Sequence, residues 1–296
     1  MQDQSILTAI EPNDEGQHIW RVASRIAQKV GAGLNTINVI EPAVEIYADL
    51  NFAPLLSGSR EWQRVIIGEH QTYFETFFET EAPSTTGENL LVKEGYPGYE
   101  IAVRAEELKA NLIVMGVHNR RGLSRLLGST THNVLNRTQI DLLAVHPDSD
   151  ETPYRRILVA VDSTDLAEGI LEKAKPFTEK ADEYNILTVV IPLNSAYAGP
   201  GTAGGLDWSF TDLTEEIVKQ TRQKVTNTAS KHGFGKETVT LIEGDPRDEI
   251  IKAATEMQAD LIVMGSHRRG ALNRLLLGST ARAVLNQTPC DVLVCT

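Results

Sequence analysis

Cysteine is almost absent. Only Cys290 and Cys295 occur among 296 residues, and on one predicted strand they lie about 16 Å apart, too far to bridge each other. A disulfide framework is thereby excluded, and core packing is the expected role of both thiols. Long apolar runs are missing too, since stretches such as Ile186 to Leu193 fall far short of a membrane span. The first residues carry no basic region and no apolar stretch but Asp3, Glu11, Asp14 and Glu15, so no targeting segment is expected. With no disulfides and no leader, a cytoplasmic protein is the default. Basic residues are in deficit, 28 against 40 acidic ones, for a net charge of -12. Such a surface repels nucleic acid and anionic membrane, and neither is expected as a partner. None of the seven histidines is paired at helical ligand spacing, so no metal site is expected. A Ser-His-Asp elbow, a Walker loop and a dinucleotide fingerprint are all lacking.

What is present is a globular composition, 41% apolar, and a chain long enough for two domains with their own cores. It repeats itself. Leu112-Ile113-Val114-Met115-Gly116 recurs letter for letter at Leu261-Ile262-Val263-Met264-Gly265, about 150 positions further on. Gly128-Ser129-Thr130 returns as Gly278-Ser279-Thr280, Val134-Leu135-Asn136 as Val284-Leu285-Asn286, Asp141 as Asp291 and Gly95 as Gly244. This spacing marks duplicated domains, at 1–147 and 155–296, with 148–154 as a solvated linker.

Each half alternates strands and helices. In the first, strands are expected near Ile6 to Ile10, Leu34 to Ile40, Asn89 to Lys93, Leu112 to Met115 and Leu142 to Val145. In the second they fall at Arg156 to Val161, Ile186 to Ile191, Val239 to Glu243, Leu261 to Met264 and Asp291 to Cys295. Between the latter lie an amphipathic stretch from Leu166, broken near Pro176, and helices through Leu213 to Val225, Arg247 to Met257 and Ser279 to Gln287. Apolar strands separated by helices imply a parallel sheet with right-handed crossovers, hence an α/β fold of two tandem doubly wound five-stranded sheets. The last strand of each half would form an open sheet edge. Pairing of the halves through it makes a pseudo-dimer within the chain and leaves room for a homodimer.

Ligands of doubly wound sheets sit beyond the carboxyl ends of the strands. The candidates there are Glu11, Val39 and Gly116 in the first half, and Asp162, Val190 and Gly265 in the second. After Gly116 and Gly265 come loops rich in glycine and arginine, each closing on Gly-Ser-Thr at a helix start, where backbone N–H groups and hydroxyls can meet a phosphate. From Gly116 to Ile140, and again from Gly265 to Cys290, there is no Asp or Glu, where about three are expected by chance. Arg120, Arg121, Arg125, Arg137, Arg268, Arg269, Arg274 and Arg282 occupy those windows. Both an anion site and a solvated basic face fit this pattern. His118 and His267 share one loop position and read as packing residues, as do Met115 and Met264 in the core. Residues 194 to 211, with Pro200 and Gly199, Gly201, Gly204 and Gly205, read as a flap over the second site. The more apolar stretch from Glu41 to Arg60 reads as a packed surface.

The segment from Gly265 to Ser279 resembles the signature loop of the ATP-binding universal stress proteins: a glycine, two residues, a glycine, nine residues, then Gly-Ser or Gly-Thr. An acid at the first strand's end and a valine 28 residues on (Asp162 and Val190, Glu11 and Val39) resemble that family as well. The resemblance covers nearly the whole chain twice. It implies the adenine-nucleotide alpha-hydrolase-like fold, with ATP, with or without Mg2+, as the ligand. It also implies that Asp162 holds the ribose, the Val190 backbone the adenine, and Gly265, Gly278, Ser279 and Thr280 the phosphates, with Arg268 beside them. Glu11, Val39, Gly116, Asn119, Gly128, Ser129 and Thr130 form the weaker first site. Both loops depart from the pattern. Arg268 stands where the middle glycine belongs, Asn119 takes that place in the first half, and eight residues follow it before Gly128. Glu11 replaces the usual aspartate. Three functions stay open: a nucleotide-responsive module acting on an unknown protein partner, a nucleotide-free interaction protein, and a slow ATPase.

Overall fold

The computed structural model describes residues 4–42, 59–81, 89–117, 128–150, 154–192, 207–266 and 277–296. The chain divides into two units, Met1–Pro147 and Asp148–Thr296.

Unit 1 runs β1 (Ser5–Ala9), α1 (Asp14–Val30), β2 (Gly33–Ile40), α2 (Ser59–Glu81), β3 (Leu90–Glu94), α3 (Pro97–Glu107), β4 (Leu112–Gly116), α4 (Ser129–Leu135) and β5 (Asp141–Val145). Its strands are parallel and ordered β3-β2-β1-β4-β5. The order reverses between β1 and β4, which opens a crevice at their carboxyl ends. The central strands are largely apolar because helices cover both faces: Leu7, Ile113, Val114, Leu142 and Leu143 are fully buried. Asn13 caps α1, its side chain accepting from the Gly16 N–H, and Asp14 and Glu15 fill the first turn, where the helix dipole favours acids. The buried stripe of α1 sets Trp20 against Phe77 and Phe78 of α2, ring centroids 5.3 and 5.4 Å away.

Unit 2 repeats the order as β6 (Arg156–Ala160), α5 (Leu166–Thr178), β7 (Glu183–Val190), α6 (Asp207–Lys231), β8 (Val239–Glu243), α7 (Pro246–Met257), β9 (Leu261–Gly265), α8 (Ser279–Gln287) and β10 (Asp291–Cys295). Its sheet runs β10-β9-β6-β7-β8, again parallel. Pro176 does not break α5 as the sequence led us to expect. It lies in the helix's last turn with its ring exposed, and so is the preceding-turn residue Glu172, so the carbonyl the ring deprives of a partner is on the wet side. Cys290 precedes β10 rather than lying on it; both thiols are buried and unbridged. Tyr154 packs on Phe177 of α5, and its hydroxyl donates to Asp291 at 2.6 Å.

Candidate functional site

The geometry begins at the strand ends. In unit 1 a cleft of about 650 Å³ lies over the carboxyl ends of β1, β2 and β4. Its apolar walls include Ile19, Ile37, Val39, Ile101 and Met115, and its polar rim Glu11, Asp14, Glu15, Tyr73, Thr130 and Thr131. Gly116 and Gly128 also line it, so most of the first-half candidates converge on one cavity. Ser129 faces a neighbouring depression of about 270 Å³ with Tyr96, Tyr99 and Arg137. Asn119 lies outside the described residues, as do Arg120, Arg121, Arg125, Arg268, Arg269 and Arg274, His118, His267, and most of the two long stretches after β2 and β7.

Glu11 reaches this cleft through a tight turn. A Cβ built on Gly16, in the first turn of α1, would stand 2.0 Å from the Glu11 carbonyl oxygen, so only glycine allows the chain to fold back so closely. The residue is accessible from the open mouth, yet surrounding protein desolvates its carboxyl and holds it above the usual carboxylate range. Glu41 and Glu15 push the same way, and a hydrogen bond with the Asn38 side chain pulls back. Asn38 itself is 1% exposed. Its Nδ2 donates to the Ile10 carbonyl at 2.7 Å, and its Oδ1 meets Nδ1 of His70 on α2 at 2.7 Å. Burial holds the His70 imidazole below its ordinary value, against the opposing pull of Glu69. The sequence reading missed both residues; the available signal was an asparagine between Ile37 and Val39 in the strand's apolar half.

Unit 2 builds its corresponding turn otherwise. Asp162 folds back on Thr164, Oδ1 accepting from the Thr164 N–H at 2.9 Å and from its hydroxyl. This is an Asx-turn, which fixes the carboxylate and leaves Oδ2 without a bond among the described residues. Gly265 has a packing reason as well as a place at the strand end: a Cβ there would approach Ile170 Cδ1 to 2.9 Å. The signature loop leaves and returns at one point. Ser266 N–H is tied to the Cys295 carbonyl at 2.8 Å, and Gly278 N–H to the Ser266 carbonyl at 2.7 Å. Unit 1 does the same with Val117 to Val145 and Gly128 to Val117, at 3.0 and 3.2 Å. Gly265, Gly278, Ser279 and Thr280 are thereby gathered at the end of β9, next to the strand that ends before Asp162.

Val190 is one rung away from where the 28-residue spacing puts it. Ala9 pairs with Ile37, and its equivalent Ala160 pairs with Leu187. Gly95 N–H bonds the Ile40 carbonyl, and Gly244 N–H bonds the Val190 carbonyl. Val190 therefore matches Ile40, and Val39 matches Val189. Alternate residues of a parallel strand bond to opposite neighbours. The backbone of Val190 is turned to β8, and that of Val189 is turned to the side where β6 has already ended. Unit 2 is one residue shorter between these strands, a deletion that spacing from Asp162 alone conceals.

The paired sheets, the pinned glycine loops and the crevice at the switch point match a known family twice over, with the universal stress protein model aligning to residues 4–146 and 153–296. The chain belongs to the universal stress protein family. It carries two of the family's domains in tandem. A universal stress protein of Methanocaldococcus jannaschii is 32% identical over 147 residues, 49% of this chain and 83% of its own length. A universal stress protein E homolog of Haemophilus influenzae is 23% identical and aligns across 99% of this chain and 97% of its own. Among solved structures, a putative universal stress protein of Pseudomonas aeruginosa superposes with TM-score 0.66 at 20% identity, covering 99% of this chain and 93% of its own. Among the described residues of this tandem universal stress protein, no helix is long and apolar enough to cross a membrane. None of its described His, Cys, Asp and Glu side chains are grouped, three or more together, to hold a metal ion.

Proposed function

We propose that the chain is a stress-response protein that binds ATP, principally in unit 2, and that occupancy biases the surface offered to a protein partner. The observation that carries this is the Gly278-to-Ser266 hydrogen bond, which holds the two ends of the signature loop together. A phosphate at that point would meet the start of α8, a nine-residue helix with neither a side-chain cap nor an acid in its first turn. The Ser279 and Thr280 hydroxyls are positioned on that first turn, and the Oδ2 of Asp162, unbonded among the described residues, suits a ribose hydroxyl. The Val189 backbone, rather than that of Val190, would take the base. In this reading Mg2+ accompanies the phosphates.

Calorimetric titration with ATP and Mg2+ tests this in wild type and Gly278→Val. Gly278 has φ -63° and ψ 151°, an extended conformation open to any residue. Valine therefore leaves the backbone unstrained while placing a branched side chain where phosphate would approach. Loss of two charge-assisted bonds, about 1.5–3 kcal/mol each before compensation, weakens binding by roughly two to four orders of magnitude. Equal binding by the two proteins would mean that the phosphates sit elsewhere. No heat in wild type, with no nucleotide released on denaturation, would favour the nucleotide-free interaction protein.

A further inference from the structure

We infer that Asn38 is a positioning residue of the unit 1 cleft, clamping the turn that carries Glu11 and tying that turn, through His70, to α2. The clamp is there whatever ligand enters the cleft. Asn38 lies on β2 at a depth where water does not serve its amide, being 1% exposed. A polar group so placed needs protein partners for both its ends. It finds them on two different elements. Nδ2 donates to the Ile10 carbonyl at 2.7 Å, and Oδ1 meets Nδ1 of His70 at 2.7 Å. The Ile10 carbonyl belongs to the peptide that leads into Glu11, and both residues line the cleft. Beyond that peptide the turn is closed by the Asn13 N–H on the Glu11 carbonyl and the Gly16 N–H on Asn13 Oδ1, both at 2.9 Å. Asn38 thus grips the turn at its root, and its bond to the Glu11 carboxyl acts on the side chain as well.

The clamp also dictates the state of His70. A carbonyl oxygen only accepts, so the amide turns Nδ2 to Ile10 and Oδ1 to the imidazole. Oδ1 in its turn only accepts, which puts the ring proton on Nδ1. Burial holds the ring toward its neutral form, so Nε2 is left without a proton. α2 is therefore joined to the end of β1 by a directed chain of two hydrogen bonds rather than by packing alone. Among the described residues, unit 2 has no such chain. Strand register puts Thr188 in the place of Asn38. Thr188 is equally buried, at 2% exposure, and its hydroxyl makes no hydrogen bond among the described residues. The Arg21–Glu81 pair of unit 1 recurs as Glu172 beside His232, 3.9 Å apart. The same step along the sequence takes His70 to Thr221, which has no ring nitrogen to offer. Unit 2 holds its strand-end carboxylate from within the turn, by Thr164. Unit 1 holds it from a neighbouring strand and helix, so a displacement of the Glu11 turn is felt at α2, and one of α2 at the turn.

Two NMR measurements on the full-length protein, with no ligand present, test this. The first reads the imidazole nitrogens of His70, assigned by their loss in His70→Phe. Wild type is expected to carry the proton on Nδ1, and Asn38→Thr, which installs the unit 2 residue, should release the ring to exchange between tautomers. The second is amide hydrogen exchange. His70→Phe breaks only the helix side of the chain, at a half-buried position that can take the ring. It should speed exchange at Asn13, Gly16 and Gln17 by about three- to tenfold, the worth of one hydrogen bond. The amides of Ile113 and Val114, in the core of β4, should change by less. Asn38→Thr should loosen the same turn at least as much. Thr72→Ala, on the exposed side of the same helix, should leave it alone. Should Asn38→Thr not fold, the wild-type imidazole signals and the His70→Phe protein decide by themselves. A His70 proton found on Nε2 in wild type, or a turn unmoved by His70→Phe, overturns the inference. So does equal acceleration of the turn and β4, which is general destabilisation, or an equal effect of Thr72→Ala.

Discussion

The two units share a sheet order and, among the described residues, part company at one turn. After β1 the chain doubles back through Glu11-Pro12-Asn13 onto a glycine, and Glu11 is left to reach into a cleft. After β6 the equivalent Asp162 is tied down by Thr164, and an alanine, Ala167, occupies the place of Gly16. Nothing in the core demands this difference, since the flanking strands pair in the same way on both sides. Duplicated domains hold constant what packing enforces and diverge where the backbone leaves the sheet. A strand-end turn is therefore where two copies of one fold can acquire two chemistries.

The hardest way to break that comparison is to exchange the turn residues. In Gly16→Ala the new Cβ meets the Glu11 carbonyl at 2.0 Å, backbone against side chain with no flexible group to yield. A loss of about 3 kcal/mol or more is expected, at the upper end of overpacking penalties. Ala167→Gly in unit 2 removes a small side chain near the start of a helix and should cost about 1 kcal/mol. Urea denaturation of the two variants measures both. A Gly16→Ala protein as stable as wild type would show that the turn can open, and Glu11 would no longer be fixed at the cleft by its backbone.

A second asymmetry lies at the entry to unit 2. Asp291 is fully buried and accepts from the Tyr154 hydroxyl, whose own ionisation is pushed well above the usual range by burial first and by Asp291 next. Its counterpart Asp141 is only half buried. Tyr154→Phe removes a donor from a buried carboxylate and is expected to cost about 2 kcal/mol. Asp141→Asn in unit 1 should cost under about 1 kcal/mol. Comparable losses in both would mean that Asp291 is held mainly by other groups. The same burial drives the Cys290 thiol up to about 12, so alkylation at pH 8 in the folded protein is not expected.

The sheet was legible because its strands are short apolar runs buried on both faces, and because Leu-Ile-Val-Met-Gly and Gly-Ser-Thr occur twice. The convergence of Glu11, Val39, Gly116, Gly128 and Thr130 was legible through the switch-point rule. Three things were not. That Val190 corresponds to Ile40 and not to Val39 comes from one residue missing between β6 and β7, and only hydrogen-bond register exposes it. The Asn38–His70 contact joins a strand to a helix 32 positions away, a pairing that no local spacing encodes. The influence of Glu41 on the Glu11 carboxyl crosses from the end of β2 to the end of β1, and only the sheet sets the two residues close enough for it. Pro176 was misread for a simpler reason: a proline in an exposed last turn removes little that water cannot replace.

The smallest expected effect is also the one with the clearest pH signature. Asp245 caps α7, its carboxylate accepting from the Arg247 N–H and from the Arg247 guanidinium. In unit 1 the same place is taken by Tyr96, which makes no side-chain cap. The guanidinium chiefly, and the backbone N–H next, hold the Asp245 carboxyl down at about 2, against 3.8 for an unperturbed aspartate. Because the folded value is the lower one, this contribution is fully present above about pH 4 and is lost as pH falls toward 2. The pair is solvent-exposed, so screening limits it, and the cap itself should contribute about 0.5–1 kcal/mol. Asp245→Ala should thus lower stability by that amount at pH 7 and by progressively less below pH 4. Tyr96→Ala has no titrating cap to lose and should show no such convergence. Denaturation at pH 7 and at the lowest pH where the protein stays folded measures both. An Asp245→Ala deficit that persists unchanged at low pH would assign the residue a packing role rather than a charged cap.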